Sequence, residues 1–497
     1  MNMHPPQAAA SWSEAQLRAI LPKHRDLYYG GMWHKPAGGY LKTINPANGD
    51  DLGDCAEASA EDVAAAATAA HAAFAKWRRV SPVDRGNRLK EISAVIKAHR
   101  EELAMIDAIN CGNPITALLR DIDIATQLID YFATLATELR GSTIPMGEGI
   151  VNMTVREPFG VCARIVAYNH PFMFIASRLA PPIAAGNTVI MKPPPQAPLS
   201  AYRLMELVDG ILPAGVLNIV TGGRACGEAL VQHPLIPKVT LIGAIPTGRA
   251  IAKAAADQLK HVSLELGGKN ALIIYPDADV ERAISGAVSG MCFTWCGQAC
   301  SSTSRLFVHE TLHDRVVEGI LKGIQAYRPG NPTDKATTMG AIISADQHRK
   351  IMHYIELGKS EGATLAAGGK PPTDPALQNG FFVEPTVFTG VTMDMSIARD
   401  EIFGPVLSVL KWNDEDELYR QVNTVEYGLA AGVYTQSLAT AHRAVDRLEA
   451  GYVWVNNAAK HFFPAPFGGY KQSGNNREES FEELLSYTQL KNVYITL

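Results

Sequence analysis

The sequence predicts an α/β protein with two parallel-sheet units and a small β arm. Three observations carry this expectation. Between residues 161 and 266, apolar runs alternate with helical stretches, the pattern of a parallel sheet buried on both faces. A second alternation of the same kind starts at Ala271. The length of 497 residues exceeds what a single hydrophobic core supports, so more than one domain is required.

Residues 1–25 read as a variable extension, in which Ser11 or Ser13 caps a short helix over 12–20 that Pro22 ends. Tyr28-Tyr29-Gly30-Gly31 and Gly38-Gly39-Tyr40 punctuate short strands, and Asn45-Pro46-Ala47-Asn48-Gly49 has turn composition. The Ala-rich stretch 59–77 is a strong helix former with Ser59 as its cap. Further helices are expected over 82–99, 100–109 and, beyond the break at Asn113-Pro114, 115–139. Alternation with Gly147 and Gly149 predicts a projecting hairpin over 141–158. The first parallel unit has strands at 161–167, 188–191, 216–220, 239–242 and 261–266, with helices at 172–185, 199–210, 227–232 and 245–259 between them. In the second, strands are expected at 271–275, 305–308, 406–411, 432–434 and 452–456, and helices at 279–291 and 342–357. Residues 487–496 alternate as a last strand. No 20–50-residue repeat and no low-complexity linker interrupts this order.

Composition narrows the function. Hydrophobic residues are 47% and charged residues 19%, and the net charge of -5 gives no field that favours nucleic acid or an anionic membrane. No apolar run reaches the ~20 residues that span a bilayer. Seven cysteines, an odd and small number, fit a reducing cytoplasm, and Met1 to Ala10 lack a signal-peptide pattern. Cys292, Cys296 and Cys300 recur every four residues, which would bring them together on a helix. No histidine or second cysteine pair sits at zinc spacing, so no metal is expected.

Ligands of parallel sheets bind at the carboxyl ends of strands. Four such ends hold informative residues: Tyr168-Asn169-His170-Pro171, Met191-Lys192-Pro193, Leu241-Ile242-Gly243 with Gly248 opening a helix, and Leu264-Glu265-Leu266-Gly267-Gly268-Lys269. Glu265 between two leucines must be paired, functional or both. Each of the others has an ordinary reading as a turn or a solvated loop.

Together with Phe293-Thr294-Trp295-Cys296-Gly297-Gln298-Ala299-Cys300, this set resembles the aldehyde dehydrogenase superfamily. Gln347-His348-Arg349-Lys350, Glu401-Ile402-Phe403-Gly404-Pro405 and the run Pro466 to Gly474 extend the resemblance over nearly the whole chain. It implies a Rossmann-like doubly wound cofactor domain (1–140 and 159–267), a second α/β catalytic domain (268–474), and an oligomerisation arm (141–158 and 475–497) that makes a homodimer or homotetramer. Cys300 matches the nucleophile, Glu265 the general base and Asn169 the oxyanion donor. Lys192 matches a lysine on the adenosine ribose, and Gly243 to Gly248 the pyrophosphate site. Glu401 and Phe403 match residues holding the nicotinamide ribose, with Gln347 and Lys350 near a cofactor ribose. Arg178 and Glu478 fall where a proton relay has been placed. His170, Phe174, Ser177, Trp295, Ser301, His461 and Phe462 line the implied aldehyde tunnel, with Cys292 and Cys296 as packing residues.

The implied reaction is oxidation of an aldehyde to the carboxylic acid with NAD. A thiolate needs activation, by a helix N-terminus, the cofactor or Glu265 acting through water. Relatives that pass the acyl group to coenzyme A lack the base glutamate, so Glu265 favours hydrolysis. A non-catalytic homologue would not need all three of Cys300, Glu265 and Asn169. Two departures matter. Pro195 stands where many relatives have a ribose-binding glutamate, which admits NADP besides NAD, and Ala244 stands where a serine is common. The mixed tunnel residues imply a medium-sized aldehyde, aromatic or polar at its tail.

Overall fold

The computed structural model describes residues 12–497. Ser11 lies outside the described residues. Ser13 caps the helix Glu14–Ile20, its hydroxyl accepting from the Gln16 N–H while the Gln16 side chain accepts in return.

The first sheet has seven strands. Five are parallel and run, from one edge, His261–Glu265, Lys238–Ile242, Val161–Ile165, Thr188–Lys192, Leu217–Ile219. Leu27–Tyr29 and Met32–His34 extend the other edge antiparallel. The three central strands are buried at every position, as their continuous apolar character requires. The winding reverses between Val161–Ile165 and Lys238–Ile242, which opens a crevice beyond their carboxyl ends. Helix Ala60–Trp77 lies against this sheet through Ala66, Ala67 and Ala70, and its close approach lets Thr188 donate to the Ala70 carbonyl. Helices Pro82–Ala98, Arg100–Cys111 and Ile115–Leu135 pack on the opposite face with Pro171–Arg178.

The second sheet also has seven strands, six of them parallel: Thr386–Thr389, Val406–Trp412, Arg305–His309, Ala271–Ile274, Ala430–Tyr434 and Tyr452–Val455, with Thr364–Ala367 antiparallel at one edge. Alternate residues serve opposite faces. Leu272 and Ile274 meet helices Val280–Gly290 and His313–Gly323, whereas Ile273 meets Ala345–Ser360, Glu415–Asn423 and Leu438–Arg447.

A three-stranded sheet stands apart. Ile150–Pro158 pairs along its whole length with Thr488–Thr496 and carries Thr143–Ile144 on its other side. The strand begins at Thr488, and residues 475–487 differ from the expected arm. They fold inward, with Glu478, Glu479 and Glu483 buried against the first unit.

The expected helical neighbourhood of the three cysteines is not found. Val280–Gly290 ends before them, and Cys292 and Cys296 take left-handed φ values of 55° and 54° around the turn Phe293–Trp295. Gly297 follows at φ 65°. These left-handed residues break the helical path and separate Cys296 from the other two sulfurs. Cys296 Sγ donates to the Gly340 carbonyl at 3.0 Å inside the core, while Cys292 and Cys300 reach a cavity.

Candidate active site

Two cavities meet at Glu265, Ile242 and Cys300, which line both. One, of about 230 Å³, lies in the crevice of the first sheet and is bounded by Tyr168, Asn169, Gly243, Gly267, Gln347, Lys350, Glu401 and Phe403. The other, of about 180 Å³, is walled by His170, Phe174, Trp295, Ser301, His461, Phe463 and Phe467. A larger groove of about 660 Å³ beside Glu14, Lys42 and Asn331 contains none of the expected site residues.

Cys300 sits in a turn, not at a helix N-terminus, and its carbonyl accepts from the Asn270 side-chain amide at 2.7 Å. Burial, then the charges of Glu265, Glu401 and Glu479, push its thiol well above the usual range. Glu265 ends the strand His261–Glu265 and is buried, with neither carboxylate oxygen hydrogen-bonded among the described residues. Burial raises its proton affinity well above normal; Glu478 and Glu479 add to the rise and Arg178 opposes it. Asn169 is buried in the loop between Val161–Ile165 and Pro171–Arg178. Asn113 Nδ2 donates to its carbonyl at 2.9 Å, and its own side-chain amide has no protein partner among the described residues.

On the crevice side, Glu401 seats its carboxylate on the backbone of Gly267 and Gly268. The Gly268 N–H donates to it at 3.0 Å, and a Cβ on Gly267 would lie 2.0 Å from its other oxygen. Gln347 Nε2 donates to the carbonyls of Ile402 and Phe403 at 3.0 and 2.9 Å, and Lys350 Nζ donates to that of Glu401 at 3.0 Å. These two side chains thus hold the Glu401–Phe403 loop. Phe403 has φ 55° and meets Tyr168 edge-on at 5.9 Å. Gly248 does not line the cavity; a Cβ there would stand 2.6 Å from Leu266 Cδ1, so its role is close helix packing. Lys192 is buried at its strand end behind the cavity, where burial lowers its proton affinity and Glu57 supports its charge.

Arg178 and Glu478 enter a buried ion cluster. Arg178 pairs with Glu478 and Glu479 at 3.1 Å and with Glu483 at 3.4 Å. Arg164 pairs with Glu478 at 2.5 Å and Glu483 at 3.5 Å. No hydrogen bond joins Arg178 to Glu265 among the described residues. His461 Nδ1 lies 3.1 Å from Glu479, and His170 Nδ1 lies 2.7 Å from Asp121.

Two expected tunnel residues are elsewhere. Ser177 is fully buried and donates to the Met173 carbonyl of its own helix at 2.5 Å. Phe462 is 74% exposed and turned away, and its neighbour Phe463 takes the wall instead. Asp121, Ile124, Met173, Cys292, Phe463, Phe467 and Glu479 also line the cavity and were not expected there. Phe467 lies within the matched run Pro466 to Gly474 and Phe463 shortly before it; Asp121 reaches the site from a helix whose periodicity signals only a core face.

The family model described as "Aldehyde dehydrogenase family" matches residues 33–493. The chain belongs to the aldehyde dehydrogenase family. An aldehyde dehydrogenase, tropH, of Talaromyces stipitatus is 48% identical over 97% of this chain and 95% of its own. A betaine aldehyde dehydrogenase of Mesorhizobium japonicum is 42% identical over 92% of this chain and 94% of its own. A Bacillus cereus aldehyde dehydrogenase solved as its NAD+ complex superposes with TM-score 0.94 at 38% identity, covering 98% of this chain and 100% of that one. This aldehyde dehydrogenase is an oxidoreductase that acts on aldehydes with NAD(P). The crevice fits a dinucleotide on its own geometry. Helix Ile245–Ala256 opens at its floor with no side chain capping its first N–H groups, which leaves donors for a pyrophosphate.

Proposed function

We propose that this aldehyde dehydrogenase oxidises a medium-sized aromatic or polar aldehyde to the free acid through thiohemiacetal and thioester stages on Cys300. The observation that carries the reading is Glu265: among the described residues, a buried carboxylate without a partner that lines both cavities beside the only cysteine the two share. Glu265 takes the thiol proton of Cys300, either directly or through water. The sulfur then bonds the aldehyde carbon as the carbonyl π pair moves to oxygen. The Asn169 amide and the Cys300 N–H donate to that oxyanion. Nicotinamide, when bound, supplies the acceptor for the hydrogen and electron pair that the tetrahedral carbon gives up. Glu265 gives the thiol proton up to solvent water before hydrolysis; water then attacks the thioester carbon as its proton passes to the freed carboxylate, and the C–S bond breaks to return the thiolate. Glu478, lining the same cavity, accepts that proton through water, and Arg178, ion-paired with it and staying protonated, holds it in place.

NAD is the proposed cofactor, with NADP tolerated at Pro195. Lys192 would hold the adenosine ribose, and Glu57, the carboxylate acting on it, disfavours an added phosphate. Glu401, Phe403, Gln347 and Lys350 would hold the nicotinamide end. Hydrolysis by Glu265 makes coenzyme A unnecessary. The sheet of Ile150–Pro158 and Thr488–Thr496 would bridge to a second copy and build a dimer or tetramer.

A second reading has one observation in its favour. Aromatic faces and the carboxylates Asp121, Glu478 and Glu479 surround the cavity, a setting that also suits a quaternary ammonium aldehyde. The similar betaine aldehyde dehydrogenases give that reading weight. Steady-state kinetics with aromatic, aliphatic and betaine aldehydes, each with NAD and NADP, decide between them. In the same assay Cys300→Ala is expected to lose oxidation, and Glu265→Gln to release a single burst of NADH and then stall. Normal turnover in Glu265→Gln would remove the base from the scheme.

A further inference from the structure

The 180 Å³ cavity has the size for one aromatic ring, since an apolar cavity of roughly 150 Å³ accommodates benzene. Phe174 and Trp295 form part of its wall, and the imidazole of His170 lies 5.5 Å from each by ring centroids. His170 is the polar group between these two aromatic rings. Its Nδ1 is held at 2.7 Å by Asp121, a buried carboxylate on helix Ile115–Leu135 with no other side-chain partner among the described residues. A carboxylate only accepts, so Nδ1 carries the proton. In the neutral ring Nε2 then presents a lone pair, and no protein group among the described residues meets it. The His461 ring differs: its carboxylate, Glu479, is shared with Arg178. Asp121 is committed to a single ring, whose orientation it fixes; the acceptor is the free nitrogen of that ring in its neutral form.

We propose that His170, positioned by Asp121, is a specificity residue that accepts a hydrogen bond from a hydroxyl on the ring of an aromatic aldehyde. This rests on the aromatic reading of the cavity given above. A site built around a substrate hydroxyl discriminates more strongly than an apolar wall, because the buried polar group is left unpaired by the analogue lacking it. An O-methylated ring offers no donor and gains nothing from the acceptor.

The test is kcat/KM for benzaldehyde, its 3- and 4-hydroxy derivatives and the matching methoxy derivatives, with betaine aldehyde alongside. At least one hydroxylated ring is expected to exceed both benzaldehyde and its methoxy analogue by about tenfold or more. In His170→Phe that hydroxy-to-methoxy ratio should fall toward one. His170→Gln, which keeps an acceptor, should retain part of it. Asp121→Leu should lower the ratio mainly through KM, as the ring is no longer held. A ratio near one in the unmodified enzyme, or one unchanged in His170→Phe, overturns the proposal while leaving the aromatic reading standing. Oxidation of betaine or aliphatic aldehydes with no turnover of any benzaldehyde overturns both.

Discussion

Glu265 and Cys300 both carry their protons more tightly than free side chains, and both must release them for the proposed chemistry. Raised proton affinity in a base and in a nucleophile moves activity in one direction: kcat/KM should climb as pH rises from neutral into the alkaline range, and a profile that falls there would contradict the assignment. Asn169→Ala should lower kcat by about 10²–10³, the usual cost of one oxyanion donor, with little change in thermal midpoint. Asp107 gives a stability prediction. Burial pushes its carboxyl up to about 7, one oxygen has no partner, and the other accepts the Phe172 N–H at 2.9 Å. Its unfolded value is about 4, so between about pH 4 and 7 the folded state keeps a proton that the unfolded chain has shed. Stability attributable to this group is therefore highest at acid pH and declines as pH rises through that window. Asp107→Asn keeps an acceptor for Phe172 and removes the charge. Its Tm gain, a few degrees, should be larger at pH 8 than at pH 5 by calorimetry.

At the scale of elements, the segment from Cys292 to Gly297 depends on Gly297. Its φ of 65° disfavours a side chain, and an added Cβ would stand 2.1 Å from the Gly404 carbonyl oxygen, which is backbone and cannot swing aside. Gly297→Ala should cost about 2 kcal/mol or more in denaturant unfolding and lower kcat, because the same segment presents Cys300. This is also where the sequence misleads. A four-residue cysteine spacing has the helical period, but two residues in the left-handed region break the helix, and nothing in a cysteine side chain announces that. Strands such as Val161–Ile165 were legible because a two-sided burial demands unbroken apolar runs. Helices His313–Gly323 and Leu438–Arg447 carry only two buried apolar residues each at helical spacing, Val316 and Ile320 or Ala441 and Ala444, too few to mark a face in the sequence. The strands Thr364–Ala367 and Thr386–Thr389 are only four residues each, too short to show a period. The strand-end residues of the site could be read because topology fixes where parallel strands stop. Of the cavity wall, His170, Phe174, Trp295, Ser301 and His461 were legible, but Phe463 was not: it is adjacent to Phe462, and which of them faces inward is set by the turn they share.

Over the whole molecule, the nine-residue strand Thr488–Thr496 leaves one edge of its sheet unpaired among the described residues, with Leu490, Tyr494, Ile495 and Leu497 exposed nearby. A long unpaired edge with apolar side chains calls for cover. A chain ending at Tyr487 should sediment as a smaller species than the full chain; an unchanged sedimentation coefficient would assign assembly to another surface.

The buried ion cluster bears on the order in which the protein comes into being. Arg164 and Glu478 are separated by 314 positions, and Arg178 and Glu479 by 301. Two guanidinium groups placed early in the chain stay without these carboxylate counterparts until residues 478–483 have been made. Leaving such charges buried alone is strongly unfavourable, so the first unit cannot close tightly around them during synthesis. The wall made by Glu478 and Glu479 is missing for the same interval. A nascent chain therefore holds Cys300 before it holds a finished cavity.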